Sequence, residues 1–289
     1  MNRDRDLAAR ELIAFYLDAG VDTLVGDVPV DRFAEDPPVP ATAAVARKAA
    51  PTPDRLRRSD PPPTGEGKVF ATAASAAPVA PEAAVMAARE AARSATSLAE
   101  LRTILDRFEG CALRATATQL VFADGNPHAR VMFVGEAPGR DEDVEGLPFV
   151  GRSGKLLDRM LAAIGLDRQS VLITNVIYWR PPGNRTPTTA EIASCLPFVL
   201  RHVALVMPKI LVLCGGTAAG ALLPQGQGIT RLRGRWFDLE IPGLELPVPT
   251  LPMFHPSFLL RAPERKREAW RDLLALRARL DELLRRDEK

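Results

Sequence analysis

Three apolar segments of this chain each lead into a polar side chain that could bind a ligand or take part in catalysis. Glu136 follows the first segment, Asn175 ends the second and His255 follows the third. A carboxylate can stabilise a cation, an amide can read a hydrogen-bonding edge, and an imidazole can donate to a developing anion. Ligands of open α/β sheets bind outside the carboxyl ends of the strands. We therefore expect these three side chains to form one constellation.

The segment at 135–154, GEAPGRDEDVEGLPFVGRSG, follows an apolar strand and precedes a predicted helix. Its glycines and prolines indicate a bent loop, which we interpret as a wall of the active site. The small side chain of Ala137 would let a backbone N–H group approach a ligand. The acids Asp141, Glu142 and Asp143 are expected to be solvated or to hold the loop in shape.

The elements that must position these residues alternate between strand and helix. Strands are predicted at 130–134, 170–174, 209–214 and 248–254, and helices at 153–164, 188–206, 216–223 and 263–285. A further strand or hairpin is predicted at 232–241. Such alternation favours parallel strands with helices on both faces. The sequence thus predicts an α/β fold of three layers, α/β/α, with a short and mostly parallel central sheet.

Composition divides the chain into regions, which we place at 1–35 (a short N-terminal helical segment), 36–95 (a linker rich in Pro and Ala) and 96–289 (the catalytic domain). The linker has too few large apolar side chains to offset its ordering entropy, so it is expected to be largely disordered. Its Ala-rich end at 80–94 is expected to be helical. Ser97 and Glu100 form a capping-box pattern that marks the start of the domain.

The net charge of +2 conceals a basic C-terminal region. Residues 201–289 carry 15 Lys and Arg against 10 Asp and Glu. This surplus suits a polyanionic partner, although solvated helix faces account equally well for many of these charges.

The cysteines, Cys111, Cys195 and Cys214, form a sparse and odd-numbered set. Such a set argues against a disulfide framework and for a reducing compartment. The N-terminal residues lack the apolar core of a secretory signal, and no stretch approaches the roughly 18 uninterrupted apolar residues of a membrane span. We expect a cytoplasmic monomer that does not enter a membrane.

Four motifs together resemble those of family-4 uracil-DNA glycosylases. They are GEAPG at 135–139, PFVG at 148–151, ITNV at 173–176 with Arg-Pro-Pro at 180–182 after it, and HPS at 255–257. The resemblance covers about 105–275, and four motifs in the same order and spacing are specific where one would be weak. It implies a uracil-DNA glycosylase-like fold and hydrolysis of the N-glycosidic bond of deoxyuridine in DNA, which releases uracil and leaves an abasic site.

The resemblance also implies a role for each site residue. Phe149 would stack on the flipped uracil, Asn175 would read its edge, and His255 would donate to O2 as the bond breaks. Glu136 would support the cationic sugar and the attacking water, and the Ala137 backbone N–H could contact the uracil. Taken alone, Phe149 could be an ordinary core residue, Asn175 a helix cap and His255 a histidine packed in the core.

DNA contacts are expected on both sides of these motifs. Leu260 could wedge into the gap left by the flipped base, and the alternating basic segment at 231–235 could line the DNA or be an exposed strand face. The residues predicted to contact DNA are Arg152, Ser153, Arg233, Ser257, Leu260 and Arg261.

The chain departs from the family at its iron–sulfur site. Family-4 enzymes hold a [4Fe-4S] cluster through four cysteines, whereas here Cys111 and Cys195 fit the first and fourth positions and Arg114 and Trp179 stand at the second and third. Two thiolates cannot replace four. We predict no cluster, no metal and no other cofactor, with Arg114 and Trp179 filling the space as a cation–π pair.

Two alternatives remain open at this point. The lost cluster ligands could indicate a non-catalytic module that binds damaged DNA, and the pocket could instead accept hypoxanthine or xanthine. Residues 183–187, GNRTP, lack the histidine of a cross-linking subgroup, so covalent trapping of DNA is not expected. Uracil-containing DNA is the predicted partner, and the N-terminal region could bind another repair or replication protein.

Overall fold

The computed structural model describes residues 81–223 and 226–287. The predicted helical segment at 1–35 and the predicted linker before residue 81 lie outside these residues. The strands are β1 Asp124–Gly125, β2 Val131–Gly135, β3 Val171–Asn175, β4 Ile210–Cys214, β5 Phe237–Leu239 and β6 Val248–Met253. The helices are α1 Pro81–Ser94, α2 Leu98–Arg107, α3 Arg140–Glu145, α4 Arg152–Ala162, α5 Thr189–Val206, α6 Gly216–Leu222, α7 Ile229–Leu232, α8 Pro256–Arg261 and α9 Lys266–Asp287. Short 3₁₀ turns lie at Ala112–Ala115, Pro182–Asn184 and Pro263–Arg265.

The strands form one sheet in the order β1-β3-β2-β4-β6-β5. The central strands β3, β2, β4 and β6 run parallel, and the edge strands β1 and β5 are antiparallel to their neighbours. Gly135 pairs with Asn175, and Cys214 pairs with Met253. The carboxyl ends of the four parallel strands therefore lie along one edge of the sheet. The prediction of four main strands in a mostly parallel sheet is confirmed.

Side chains alternate across the sheet and build a core on each face. In β2, Val131 and Phe133 belong to the core that includes α4 and α9, whereas Met132 and Val134 belong to the core that includes α1, α2, α5 and α6. Parallel strands are usually buried on both faces, and each large apolar side chain buried in this way contributes about 1.5–3 kcal/mol. The predicted three-layer α/β/α architecture is confirmed.

The helix α5 lies against the core that contains Met132 and Val134, and α1 packs on α5. Its length and apolar composition would also suit a membrane span, and half of it is buried within this fold. The alanines Ala84, Ala88 and Ala92 of α1 are buried, and α1 makes extensive contact with α5. The folded unit thus begins before the predicted boundary at residue 96.

Several short elements differ from the sequence-based expectation. The helix α3 lies inside the segment predicted as a loop, and α8 begins directly after His255 with Pro256 at its first position. The strand or hairpin predicted at 232–241 is only the edge strand β5, because the residues before it form α7 and a turn. These helices of four to six residues are too short to produce a periodic apolar pattern.

Candidate active site

A cleft of about 560 Å³ opens at the carboxyl edge of the sheet. Glu136 follows β2, Asn175 ends β3 and His255 follows β6, and all three line this cleft together with Phe149 and Ala137. The constellation predicted from the strand ends is therefore present as one site. The loop at 135–154 forms part of its wall.

Phe149 is held in an unusual backbone conformation beside His255. Its φ of 57° lies in the left-handed region, which costs a non-glycine residue on the order of 1 kcal/mol or more. Its ring is buried, and the ring centroid lies 5.3 Å from that of His255 at an interplanar angle of 29°. Gly154 is required behind it, because a Cβ there would lie 1.6 Å from the Phe149 carbonyl oxygen. The chain thus fixes this aromatic ring within the cleft.

Arg168, which was not predicted as a site residue, holds the loop that carries Phe149. Its guanidinium donates to the backbone carbonyl oxygens of Pro148, at 3.1 Å, and of Phe149. It also bonds to Asp124 at 2.6 Å and Asp158 at 2.7 Å. Arg168 therefore joins the aromatic loop to β1 and α4, although no local sequence signal marks it.

Asn175 presents an unpaired amide to the cleft. The side chain is 2% exposed, yet its Nδ2 has no hydrogen-bond partner in the structure. A buried donor without a partner costs about 1–3 kcal/mol, and such a group in a cleft points to a ligand that would accept from it. Gly135 makes room for this amide, since a Cβ at that position would lie 2.4 Å from Asn175 Oδ1 and 2.6 Å from the Phe149 ring.

His255 is the N-cap residue of α8, and its ring is oriented by Ser257. The backbone N–H of Ser257 donates to His255 Nδ1 at 3.1 Å, and the Ser257 hydroxyl lies 2.8 Å from the same nitrogen. Because Nδ1 accepts, the neutral ring carries its proton on Nε2. Burial, with a smaller contribution from the charge of Arg261, lowers the pKa of His255 to about 4. At neutral pH the residue is a neutral hydrogen-bond donor.

Glu136 is half-buried and is held by a residue of another strand end. The hydroxyl of Thr217 donates to Glu136 Oε2 at 2.7 Å. Thr217 lies in the first turn of α6, directly after β4. Thr217 was not predicted as a site residue, although the Gly-Gly-Thr at 215–217 follows a predicted strand as the other site residues do.

The acids of α3 hold the wall of the cleft in place. Glu142 accepts from the backbone N–H groups of Gly139, Val150 and Gly151 at 3.0–3.1 Å. Asp143 accepts from the backbone N–H and the hydroxyl of Thr118, both at 2.8 Å. Both carboxylates are buried, so their expected role in shaping the loop is confirmed and solvation is wrong for these two.

The residues predicted to contact DNA are divided by the structure. Ser153, Ser257 and Arg261 line the cleft. Arg152 is exposed at the first position of α4, and Leu260 of α8 is 38% exposed. These five residues lie on or next to elements that border the cleft.

Arg233 lies apart from the other residues predicted to contact DNA. It bonds to Asp272 through Nε at 2.8 Å and to the backbone carbonyl of Glu268 at 2.8 Å, and its guanidinium lies 5.5 Å from the centroid of the Phe254 ring. Its side chain is only 15% exposed, and it does not line the cleft. The hydrogen-bonding nitrogens of Arg233 are engaged by α9, so the structure gives its predicted DNA contact no support.

The three cysteines of this chain do not fit a four-thiolate cluster. The Sγ atoms of Cys111 and Cys195 lie 3.8 Å apart in one core, while Cys214 is buried in the other. Donation from the Cys195 thiol lowers the pKa of Cys111 to about 7, and the same contact and burial raise the pKa of Cys195. Within residues 81–223 and 226–287, no group of three or more His, Cys, Asp or Glu side chains could hold a metal ion.

The predicted cation–π pair of Arg114 and Trp179 is also wrong. Arg114 is exposed, and its guanidinium donates to the Asp106 carbonyl oxygen at 2.8 Å and 3.1 Å, at the end of α2. Trp179 is 2% exposed and belongs to the same core as Cys111 and Cys195. Trp179 therefore packs in the core without Arg114, because the guanidinium is bonded to a single carbonyl oxygen at the helix end.

The part of the chain that builds the sheet and the cleft is similar to known glycosylases. Residues 122–274 match the family model of the Uracil DNA glycosylase superfamily. The chain is 41% identical over 162 residues to the type-4 uracil-DNA glycosylase of Archaeoglobus fulgidus, which spans 55% of this chain and 80% of that protein. It is 41% identical over 152 residues to that of Thermotoga maritima, spanning 52% and 77% of the two chains. It is 38% identical over 186 residues to that of Sulfurisphaera tokodaii, spanning 63% and 84%.

Proposed function

This chain belongs to the Uracil DNA glycosylase superfamily, and we propose that it hydrolyses the N-glycosidic bond of deoxyuridine in DNA. The products are free uracil and an abasic site. The observation that carries the proposal is the unpaired Nδ2 of Asn175, which lies in the same cleft as His255 and Phe149. A buried amide without a partner indicates a binding site for a ligand that can form the missing hydrogen bond.

Asn175 supplies the selection of the base. A glycosylase takes its base out of the stack and reads the Watson–Crick edge in a pocket. The Asn175 amide can donate from Nδ2 to uracil O4 and accept at Oδ1 from N3–H. Cytosine carries an amino group at C4 and no proton on N3, so it would leave both atoms of the amide unpaired. Sites built on buried polar groups reject such mismatches strongly. Phe149 offers an aromatic face on which the base stacks.

His255 and Glu136 serve the bond cleavage. As the bond between C1′ and N1 breaks, its electron pair leaves with uracil and negative charge develops on O2. The Nε2–H of neutral His255 stabilises that charge. The deoxyribose becomes cationic, and the Glu136 carboxylate stabilises it. A water oxygen then bonds to C1′, with Glu136 orienting the water and accepting its proton.

The residues around the cleft contact the DNA strand in this proposal. Ser153 and Arg261, which line the cleft, would bind phosphate groups that flank the flipped nucleotide, whereas Ser257 would act there by orienting His255. Arg152 adds a positive charge beside them. Leu260, exposed on α8, occupies the gap left in the stack. Binding through phosphates predicts an affinity that falls as salt rises.

We further propose that the reaction uses neither a metal ion nor an iron–sulfur cluster. The chain has only three cysteines, and Cys214 is buried away from the other two, so four thiolate ligands are not at hand. All steps above are carried by side chains of the cleft.

Three cysteines without a disulfide also favour the reducing environment of the cytoplasm.

The test is cleavage of a labelled oligonucleotide that holds one deoxyuridine, followed by alkali to break abasic sites. Wild-type protein should give strand breaks at that position and none in a control with thymidine. His255→Ala should slow the reaction about 10²–10³-fold, the usual cost of losing one donor to a developing anion.

The same assay separates the alternatives. Binding of the oligonucleotide without breaks would favour a module that recognises damage, and breaks at hypoxanthine but not at uracil would favour a different base. Either result would overturn the proposal.

A further inference from the structure

We propose that Thr217 is a positioning residue for Glu136, which it holds in place without neutralising it. The inference rests on the proposed function in one respect only: Glu136 faces a positive charge at the sugar. The hydroxyl of Thr217 donates to Glu136 Oε2 at 2.7 Å, across 81 residues of sequence. No other hydrogen bond to this carboxylate occurs among the residues that the structure describes.

The chemical type of this partner matters. A glutamate side chain has several rotatable bonds, and fixing it before the reaction avoids the cost of ordering it in the transition state. An arginine or lysine partner would also fix it but would cancel the charge that the cation needs. A hydroxyl orients one carboxylate oxygen and leaves the group anionic, with Oε1 available to the sugar or to water.

One of the two arginines that line the cleft is engaged elsewhere. Arg185 lines the same cleft as Glu136, but its guanidinium forms a bidentate pair with Glu191 at 2.6 Å and 2.9 Å. This pairing lowers the pKa of Glu191 to about 2, so Glu191 stays ionised at any pH at which the enzyme would act. Among the residues that the structure describes, neither Arg185 nor Arg261 forms an ion pair with Glu136.

The turn that carries Thr217 also touches the second catalytic group. Gly215 has a φ of 95°, which favours glycine, and its N–H donates to the Met253 carbonyl oxygen at 2.9 Å. A Cβ at Gly215 would lie 3.0 Å from His255 Cβ. The Gly-Gly-Thr segment after β4 therefore packs against His255 and bonds to Glu136, so it contacts both groups.

The first test compares Thr217→Val, which keeps the shape of the side chain without its hydroxyl, with Thr217→Ser, which keeps the hydroxyl. We expect Thr217→Val to lower the single-turnover rate on deoxyuridine DNA about tenfold or more, because Glu136 is no longer held in the geometry that the reaction needs. KM should stay at its wild-type value. Thr217→Ser should restore most of the rate.

A double-mutant cycle connects the effect to Glu136. In a Glu136→Gln background, Thr217→Val should have little further effect, because the carboxylate that it orients is gone. An equal loss in both backgrounds would overturn the proposal, as would a Thr217→Val variant with wild-type rate.

The second test does not depend on turnover. Duplex DNA with a protonated pyrrolidine in place of the sugar mimics the cation, and a tetrahydrofuran at the same position is its neutral control. Wild-type protein should prefer the pyrrolidine DNA, and Thr217→Val should lose most of that preference while binding the neutral duplex equally well. A preference that is absent, or unchanged by the variant, would overturn the inference. A preference that depends on Thr217 in a protein that releases no uracil would instead refute the proposed hydrolysis alone.

Discussion

Arg168 donates a hydrogen bond to the backbone carbonyl of Phe149, the residue whose left-handed φ places its ring beside His255. The two residues lie 19 positions apart. Through its bonds to Asp124 and Asp158, the same guanidinium ties the aromatic ring to the edge of the sheet and to α4. The aromatic surface of the cleft is thus fixed by a residue outside every motif.

Replacing Arg168 should loosen that surface. We expect Arg168→Met to lower kcat/KM on deoxyuridine DNA about tenfold, because Phe149 can leave its strained conformation. Arg168→Lys should recover little, since an ammonium group cannot reproduce the planar fork. Single-turnover kinetics would measure the rates of both variants. Arg286→Gln, a change at an exposed arginine of a surface ion pair, is the matched control. Full activity in Arg168→Met would contradict the assignment.

Asn175→Leu should separate function from stability. The substitution removes an unpaired buried donor and leaves a side chain of similar size, so the melting temperature should stay the same or rise. Uracil release should fall more than 100-fold, as expected when a polar reading group is lost. Calorimetry and the cleavage assay give the two values. A large drop in melting temperature would mean that the amide is a structural residue.

The protonation of His255 makes a prediction about pH. Its pKa, lowered to about 4 from an unfolded value near 6.5, keeps the ring neutral from pH 8 down to about pH 5. His255 should therefore cause no loss of rate near pH 6.5. Below pH 6.5 the unfolded chain binds the proton first, so the contribution of this group to stability should fall as the pH drops from 6.5 towards 4.

An NMR titration of labelled histidines would check this value, with His255→Asn identifying the signal. Arg261→Gln should raise the pKa slightly, because burial is the larger cause of the shift. A His255 signal that titrates near 6.5 would show that the ring is solvated.

Arg233 should matter for stability and leave DNA binding unaffected. Asp272 is 2% exposed, and removing its partner leaves a buried charge, which typically costs 3–5 kcal/mol. We expect Arg233→Met to destabilise the protein by about that amount, and Asp272→Asn in the same chain to recover part of the loss. Urea unfolding and the salt dependence of DNA binding would measure the two effects. A reduced salt slope would restore Arg233 to the DNA surface.

The sequence predicted those features that depend on local patterns. The strands β2, β3, β4 and β6 are buried on both faces, so they read as apolar runs, and the polar residues at their ends could be placed at one edge. Arg168 acts through contacts with distant segments, which no local pattern records. Thr217 does follow a predicted strand, but its bond to Glu136 spans 81 residues. The ion pair of Arg233 was not predicted either, because its acidic partner Asp272 lies 39 residues away.

The short helices α3 and α8 were missed for a different reason. Each has six residues, less than two turns, and forms because neighbouring elements satisfy its ends. Glu142 ties α3 to the following loop, and His255 caps α8. Such helices exist only in the folded context.

The delivery of Glu136, Asn175, Thr217 and His255 by four parallel strands has a kinetic consequence. These residues come together only after segments separated by long stretches of chain have paired, and pairing of this kind is slow. A newly made chain thus passes through a period in which it has helices but no site. A substitution that weakens any of the four strands should then reduce the number of active molecules in a cell, while each molecule that completes the sheet works at the full rate.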